Sequence, residues 1–146
     1  MFTPFRSRLA LAAGLSVLVL AAACGDSSPS APSAPPVNVA FSQTDLVVGT
    51  GAQATAASTI TVKYTGWVYD SSRTDNKGTQ FDTNTTGATF ALSGLIQGWI
   101  QGVPGMRVGG VRRLVIPPSL GYGAQQNGPI PANSTLVFDI ELVAVQ

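Results

Sequence analysis

Three stretches of the chain alternate apolar and polar residues with the period of two that marks a half-buried strand. Ile60 to Gly66 puts Ile60, Val62 and Tyr64 on one face, and Trp67-Val68-Tyr69 prolongs it. Ala88 to Leu92 aligns Ala88, Phe90 and Leu92. Thr135 to Val145 aligns Leu136, Phe138, Ile140 and Leu142 against Asp139 and Glu141, as an antiparallel strand with one wet face does. Val111 to Ile116 is a further strand, entered through a bulge or turn at Val108-Gly109-Gly110 and ended by Pro117-Pro118. Val37 to Phe41 and Leu46 to Val48 read as short edge strands before the turn Gly49-Thr50-Gly51. One stretch has a different period. Leu95, Ile96, Trp99, Ile100 and Val103 recur at helical spacing over about two turns, until Pro104-Gly105 stops the run. Gly98 and Gly102 each forfeit about 1 kcal/mol of helix propensity, so packing must hold so short a helix. The pattern predicts an α+β domain, a curved antiparallel β-sheet wrapped around one short α-helix, with Trp99 as the floor of whatever the sheet encloses. Two loops remain. Asp70 to Gly78 is polar and leads into Gln80-Phe81-Asp82, and Ser119 to Ser134 is long and carries Tyr122 and Ile130.

The first residues do not fit this pattern. Arg6 and Arg8 precede an apolar run from Leu9 to Leu20, and Ala21-Ala22-Ala23 leads into Cys24. Residues 1–23 therefore read as an export signal, too short and wrongly flanked for a membrane span. Cys24 is the single cysteine of the chain, so no internal disulfide can form. Its place after small residues resembles a lipoprotein lipobox, with Cys24 as the lipidated first residue of the mature chain. Ala21-x-Ala23 equally suits ordinary signal peptidase, which would leave a free thiol. Residues 24–36, rich in Ser, Pro and Ala, have no apolar periodicity and read as a mobile tether or a remnant of processing. The domain proper is 37–146. The expected location is the cell envelope, lipid-anchored to a membrane through Cys24, or else the periplasm or medium as a soluble protein.

Composition narrows the chemistry. Only 10% of residues are charged and the formal net charge is +1, so no basic surface follows a phosphate backbone and nucleic acid is not an expected partner. The chain has no His, which removes the commonest general base and metal ligand. No nucleophile–base pair, metal cluster or phosphate loop is visible, and no cofactor or metal is expected. Instead Tyr64, Phe81, Phe90, Trp99, Tyr122 and Phe138 fall where they could converge, with Leu95, Ile96 and Ile130 among them. Periodicity alone stops at a small β-rich domain with an aromatic core or an apolar pocket.

Several short motifs occur in a fixed order: Tyr64-Thr-Gly66, Phe81-Asp82, Ile96-Gln-Gly-Trp99, Met106-Arg-Val-Gly-Gly110, Arg113-Leu-Val-Ile-Pro-Pro118, Gly121-Tyr-Gly-Ala124, Ile130-Pro131 and Thr135 to Leu142. From about Leu46 onward the chain closely resembles the FKBP-type peptidyl-prolyl cis/trans isomerases, which bind tacrolimus and rapamycin. The resemblance implies a sheet curled around one short helix. It also implies a pocket of Tyr64, Phe81, Asp82, Phe90, Leu95, Ile96, Trp99, Tyr122, Ile130 and Phe138, with Trp99 beneath the substrate proline. In the family, the Ile96 N–H and the Tyr122 hydroxyl donate to carbonyl groups. Tyr64, Asp82 and Tyr122 are the expected catalytic set, although Asp82 reads equally as a turn residue that orients its neighbours. The implied partners are proline-containing polypeptides, with macrolides such as tacrolimus or rapamycin as inhibitors. The implied function is isomerisation of Xaa–Pro bonds in exported or envelope proteins by a monomer, or non-catalytic capture of proline-containing segments.

Overall fold

The computed structural model describes residues 39–146, so the leader, Cys24, the tether and the start of the first expected strand lie outside the described residues. Five strands form one antiparallel sheet: β1 (Ser42–Val47), β2 (Thr59–Tyr69), β3 (Lys77–Ala91), β4 (Val111–Ile116) and β5 (Leu136–Val145), in the spatial order β1-β4-β5-β2-β3. The helix α1 (Gln97–Gly102) packs on the concave face, entered through a 3-10 turn at Leu92–Gly94. The predicted α+β architecture is the one observed.

The alternating strands sit as their patterns require. Ile60 and Val62 of β2, Leu114 and Ile116 of β4, and Leu136, Phe138, Ile140 and Leu142 of β5 are buried in one core beneath α1. β4 and α1 meet along two matched rails. Alternate strand residues are about 6.6 Å apart and helix residues four apart about 6 Å apart. Leu114 therefore faces Gly102 while Ile116 faces Gly98. A Cβ at Gly98 would stand 2.5 Å from the Ile116 side chain, and one at Gly102 would stand 2.6 Å from Leu114. The two glycines that weaken the isolated helix are what let it lie on the strand.

Three expectations are corrected. The edge strand begins at Ser42, so Val39 to Phe41 are not strand and Val48 lies beyond its end. Backbone pairing with β4 defines it while all six of its side chains are exposed, and apolar runs cannot report such a strand. The polar loop after Asp70 ends sooner, and the pieces around Phe81 and Ala88 belong to one continuous strand, β3. This strand is rich in Thr because it is the far edge of the sheet, and it is irregular: Val62 pairs with Ala88 but Tyr64 with Asn84. The surplus residues loop out around Gly87 (φ +105°), whose N–H donates to the Asn84 side chain. Finally, α1 is shorter than its apolar spacing predicts. Leu95 and Ile96 are extended, with ψ of 175° and 150°, and Leu92 lies in the 3-10 turn. Apolar spacing records which residues are covered, and Leu95 and Ile96 are covered without being helical.

Candidate active site

Trp99 is 4% exposed and forms the hub of the concave face. The rings of Tyr64 and Phe138 each meet it edge-on, 5.4 Å between centroids at 87°, and Phe90 lies 6.5 Å away at 85°. Phe81 meets Phe138 in the same manner at 5.4 Å. Edge-to-face geometry places the positive ring edge on the negative face of its neighbour. Gly66 makes this closure possible, because a Cβ there would stand 2.6 Å from the Phe81 ring and 2.8 Å from Phe138.

A bulge brings two neighbouring residues to the same wall. From Gly66 to Trp67, β2 advances one residue while its partners on β3, Asp82 and Gln80, are two apart. Phe81 is the extra residue, so it and Asp82 both line the cavity instead of facing opposite sides of the sheet. Leu95, Ile96 and Tyr122 complete a cavity of about 210 Å³ with Tyr64, Phe90, Trp99 and Phe138. An apolar cavity of about 150 Å³ holds benzene, so this space admits a five-membered ring with an attached amide. Nine of the ten expected residues therefore line one cavity. The exception is Ile130, which is buried in the core behind it. Its N–H and C=O are both paired with Asn127, closing the turn at Gly128-Pro129 that follows Tyr122.

The polar groups of the cavity are few and mostly engaged. The Tyr64 hydroxyl donates to Asp82 Oδ2 at 2.7 Å, and the Thr83 N–H donates to Oδ1 at 2.8 Å. Asp82 thus sits in a bulged strand, not in a turn, and its two oxygens are held by separate donors. Burial, reinforced by the bond to Asp82, pushes Tyr64 up to about 12. Burial and the Asp82 charge also raise Tyr122, with the Asn127 side chain partly opposing them. Both phenols are neutral hydrogen-bond donors at neutral pH. The Ile96 carbonyl accepts from the Trp99 and Ile100 N–H groups, whereas its own N–H has no acceptor among the described residues. The irregular entry to α1 is what frees it, since residues of the first helical turn have no partner four positions back.

Among the described residues no three His, Cys, Asp or Glu side chains cluster as metal ligands. The cavity offers an apolar floor, aromatic walls, the Asp82 carboxylate, neutral phenols and, among the described residues, a backbone donor at Ile96 without an acceptor. It suits a reaction in which a bound group changes shape and charge distribution without a covalent step on the protein. Sequence patterning missed Gly66 and the bulge at Phe81. Two residues on one strand that cannot both face inward by simple alternation were the available signal for the bulge.

A family model described as FKBP-type peptidyl-prolyl cis-trans isomerase matches residues 51–143. FK506-binding protein 3 of Candida albicans is 41% identical over 106 residues, covering 70% of this chain but 23% of the relative. The chain likewise spans 20% of FK506-binding protein 4 of Chaetomium thermophilum, so it corresponds to about a fifth of these longer fungal proteins. The FK506-binding protein of Neisseria meningitidis is 39% identical over 107 residues, covering 69% of this chain and 92% of the relative. The crystal structure of a peptidyl-prolyl cis-trans isomerase from Pseudomonas syringae superimposes with a TM-score of 0.64 at 34% identity, covering 80% of this chain and 84% of that one. A sheet curled on one helix is shared by many proteins, but identity of this degree with a relative matched almost end to end leaves one family: the chain belongs to the FKBP-type peptidyl-prolyl cis-trans isomerases.

Proposed function

We propose that the cavity above Trp99 is the isomerase site and takes the proline of an Xaa–Pro bond in a polypeptide. The observation that carries this reading is an aromatic-lined cavity with an Ile96 N–H at its edge that finds no acceptor among the described residues. Rotation about the amide is slow because resonance is lost at the twisted geometry, a barrier of about 18–20 kcal/mol. The planar amide carries more charge separation than the twisted one, so an apolar enclosure disfavours the planar ground state more. In this reading the Ile96 N–H and the Tyr122 hydroxyl donate to substrate carbonyls while the ring rests on Trp99. Interactions that strengthen as the amide twists lower the barrier. A reduction of about 5 kcal/mol corresponds to a rate gain on the order of 10³–10⁴. Tyr64 and Asp82 fix one another and the wall behind the proline.

Tacrolimus and rapamycin, which the family binds, are expected to occupy the same cavity. The test is isomerisation of Xaa–Pro peptides by the purified protein, with Tyr122→Phe beside it. Loss of one hydrogen bond to the twisting amide, worth about 1 kcal/mol, should lower kcat/KM about fivefold without lowering the thermal midpoint. Unchanged kcat/KM would remove the Tyr122 hydroxyl from the catalytic set. Rapamycin binding without any acceleration by the parent protein would make the chain a non-catalytic binding module.

The chain acts as a monomer on exported proteins in the cell envelope, held to a membrane by a lipid on Cys24. The basic and apolar leader, the small residues before Cys24 and the Ser/Pro/Ala-rich tether support this. Expression of the full chain with a labelled fatty acid tests it. Label in the parent and none in Cys24→Ser is the expected result, and an unlabelled parent in the soluble fraction would favour the periplasmic or secreted form.

A further inference from the structure

Arg112 is a charged residue only 7% exposed, and the chemistry above makes no use of it. It stands on the concave side of β4, in line with Leu114 and Ile116, the two residues that meet the glycines of α1. Its guanidinium joins three separate parts of the chain. Nε and Nη2 donate to the two carboxylate oxygens of Asp45 on β1, at 2.6 and 3.0 Å. Nη1 donates to the Gly102 carbonyl at 2.8 Å and to the Pro104 carbonyl at 3.3 Å. The last carbonyls of a helix have no intrahelical donor, and a planar guanidinium can serve a carboxylate with one edge and such carbonyls with the other.

This end of the helix is tied to Trp99 by the backbone. The Val103 N–H, between the two carbonyls that Arg112 holds, donates to the Trp99 carbonyl at 2.9 Å. Displacement of the Gly102–Pro104 segment therefore moves the backbone that carries the cavity floor. Leu114 and Ile116 seat α1 through its glycines, and Arg112 adds the side-chain hydrogen bonds to its end, beside the backbone bonds that Val103 and Gly105 make to Met106 and Ala54. We propose that Arg112, oriented by Asp45, is a positioning residue for the proline site, holding Trp99 at the height the twisted amide requires. The inference rests on the cavity being the isomerase site. It adds that the site is set in part from β1, the edge strand at the opposite end of the sheet from β3.

The test compares Arg112→Met with Arg113→Met, the neighbouring arginine, which instead pairs with Asp139 on the opposite face. Urea unfolding first establishes that both variants are folded under assay conditions. Arg112→Met should lower kcat/KM about tenfold and weaken rapamycin binding by a similar factor, since small misplacements at a preorganised site are costly. Arg113→Met should change both by less than about twofold. Asp45→Asn, which leaves a neutral acceptor for the guanidinium, should fall between the parent and Arg112→Met. A structural readout is independent of activity. In a Trp67→Phe background, leaving Trp99 as the one tryptophan, Arg112→Met should shift its emission and near-ultraviolet dichroism while Arg113→Met does not. Parent-like kinetics, rapamycin affinity and Trp99 emission in a folded Arg112→Met protein would overturn the proposal. An inactive parent that binds no rapamycin would instead overturn the isomerase reading, and the Trp99 signal would still report whether Arg112 sets the floor.

Discussion

The two faces of the sheet solve opposite problems with the same strands. On the concave face β2, β3 and β5 contribute aromatic rings and one polar pair, Tyr64–Asp82, at the cavity wall. On the convex face the same strands and β4 carry an ion network. Asp139 accepts from Arg113 at 2.7 and 2.9 Å and from Lys77 at 2.7 Å, and Lys77 also lies 4.1 Å from the Trp67 ring centroid. The two tryptophans mark the contrast, Trp99 floored in the apolar cavity and Trp67 covered by a cation. Ions paired in a partly wet setting cross-link strands without needing an enclosed space. The cavity wall carries a single carboxylate, Asp82, held by the Tyr64 hydroxyl and the Thr83 N–H rather than by a cation. Both faces thus contribute stability, while the proposed site of turnover lies on the concave one.

The largest test of that division is Trp99→Ala. Removing a buried tryptophan costs about 3–5 kcal/mol, and with the floor gone kcat/KM should fall at least about a hundredfold. Urea unfolding and single-turnover kinetics measure the two losses, and an active Trp99→Ala protein would break the assignment. Gly98→Ala comes next. Helix propensity favours the substitution by about 1 kcal/mol. The new Cβ would lie 2.5 Å from Ile116, and such overpacking costs about 1–3 kcal/mol. We expect net destabilisation and reduced isomerisation, because lifting α1 off β4 lifts Trp99. A stabilised variant would mean that Ile116 gives way to the new Cβ without lifting α1.

On the opposite face Asp139→Asn should cost about 1–2 kcal/mol, between the values for exposed and buried pairs, and leave kcat/KM within about twofold. A large kinetic effect would show that the convex network also shapes the cavity. The smallest effects concern pH. With no His in the chain and both cavity phenols raised by burial, kcat/KM should be flat from about pH 6 to 9. Stability should change outside that window. The Arg112 hydrogen bonds lower Asp45. Burial pushes Asp139 upward, but bonds from Arg113 and Lys77 outweigh it and leave its carboxyl lowered. Lowered carboxyls contribute stability that is present above their unfolded pKa near 4 and lost as pH falls below it. Tyr64 acts in the other direction: its contribution is present below about pH 10 and lost as pH rises toward its folded value of about 12. Thermal midpoints across pH check both limbs.

The strands with one dry and one wet face were legible in the sequence, because β2, β4 and β5 bury alternate residues and the chain records that alternation. The edges were largely not. β1 buries nothing, and β3 is bulged at Phe81 and looped at Gly87, so its period survives only in its last stretch, where the alternation of Ala88 and Phe90 was legible. The helix was legible as a place but not in its length, since Leu95 and Ile96 are covered by the cavity without helical dihedrals. The ordered motifs pointed to nine residues that line one cavity, yet Ile130 packs behind it. Gly66, Gly98 and Gly102 are needed for close approach between elements, and a glycine in a sequence does not say what approaches it.

The most direct test of the central claim is the rate of cis–trans relaxation of an Xaa–Pro peptide with the purified protein, titrated with rapamycin. The account predicts acceleration proportional to protein concentration and abolished at one equivalent of rapamycin, with Arg113→Met behaving as the parent. Acceleration that persists with rapamycin bound, or that survives removal of Trp99, would contradict the placement of catalysis in this cavity.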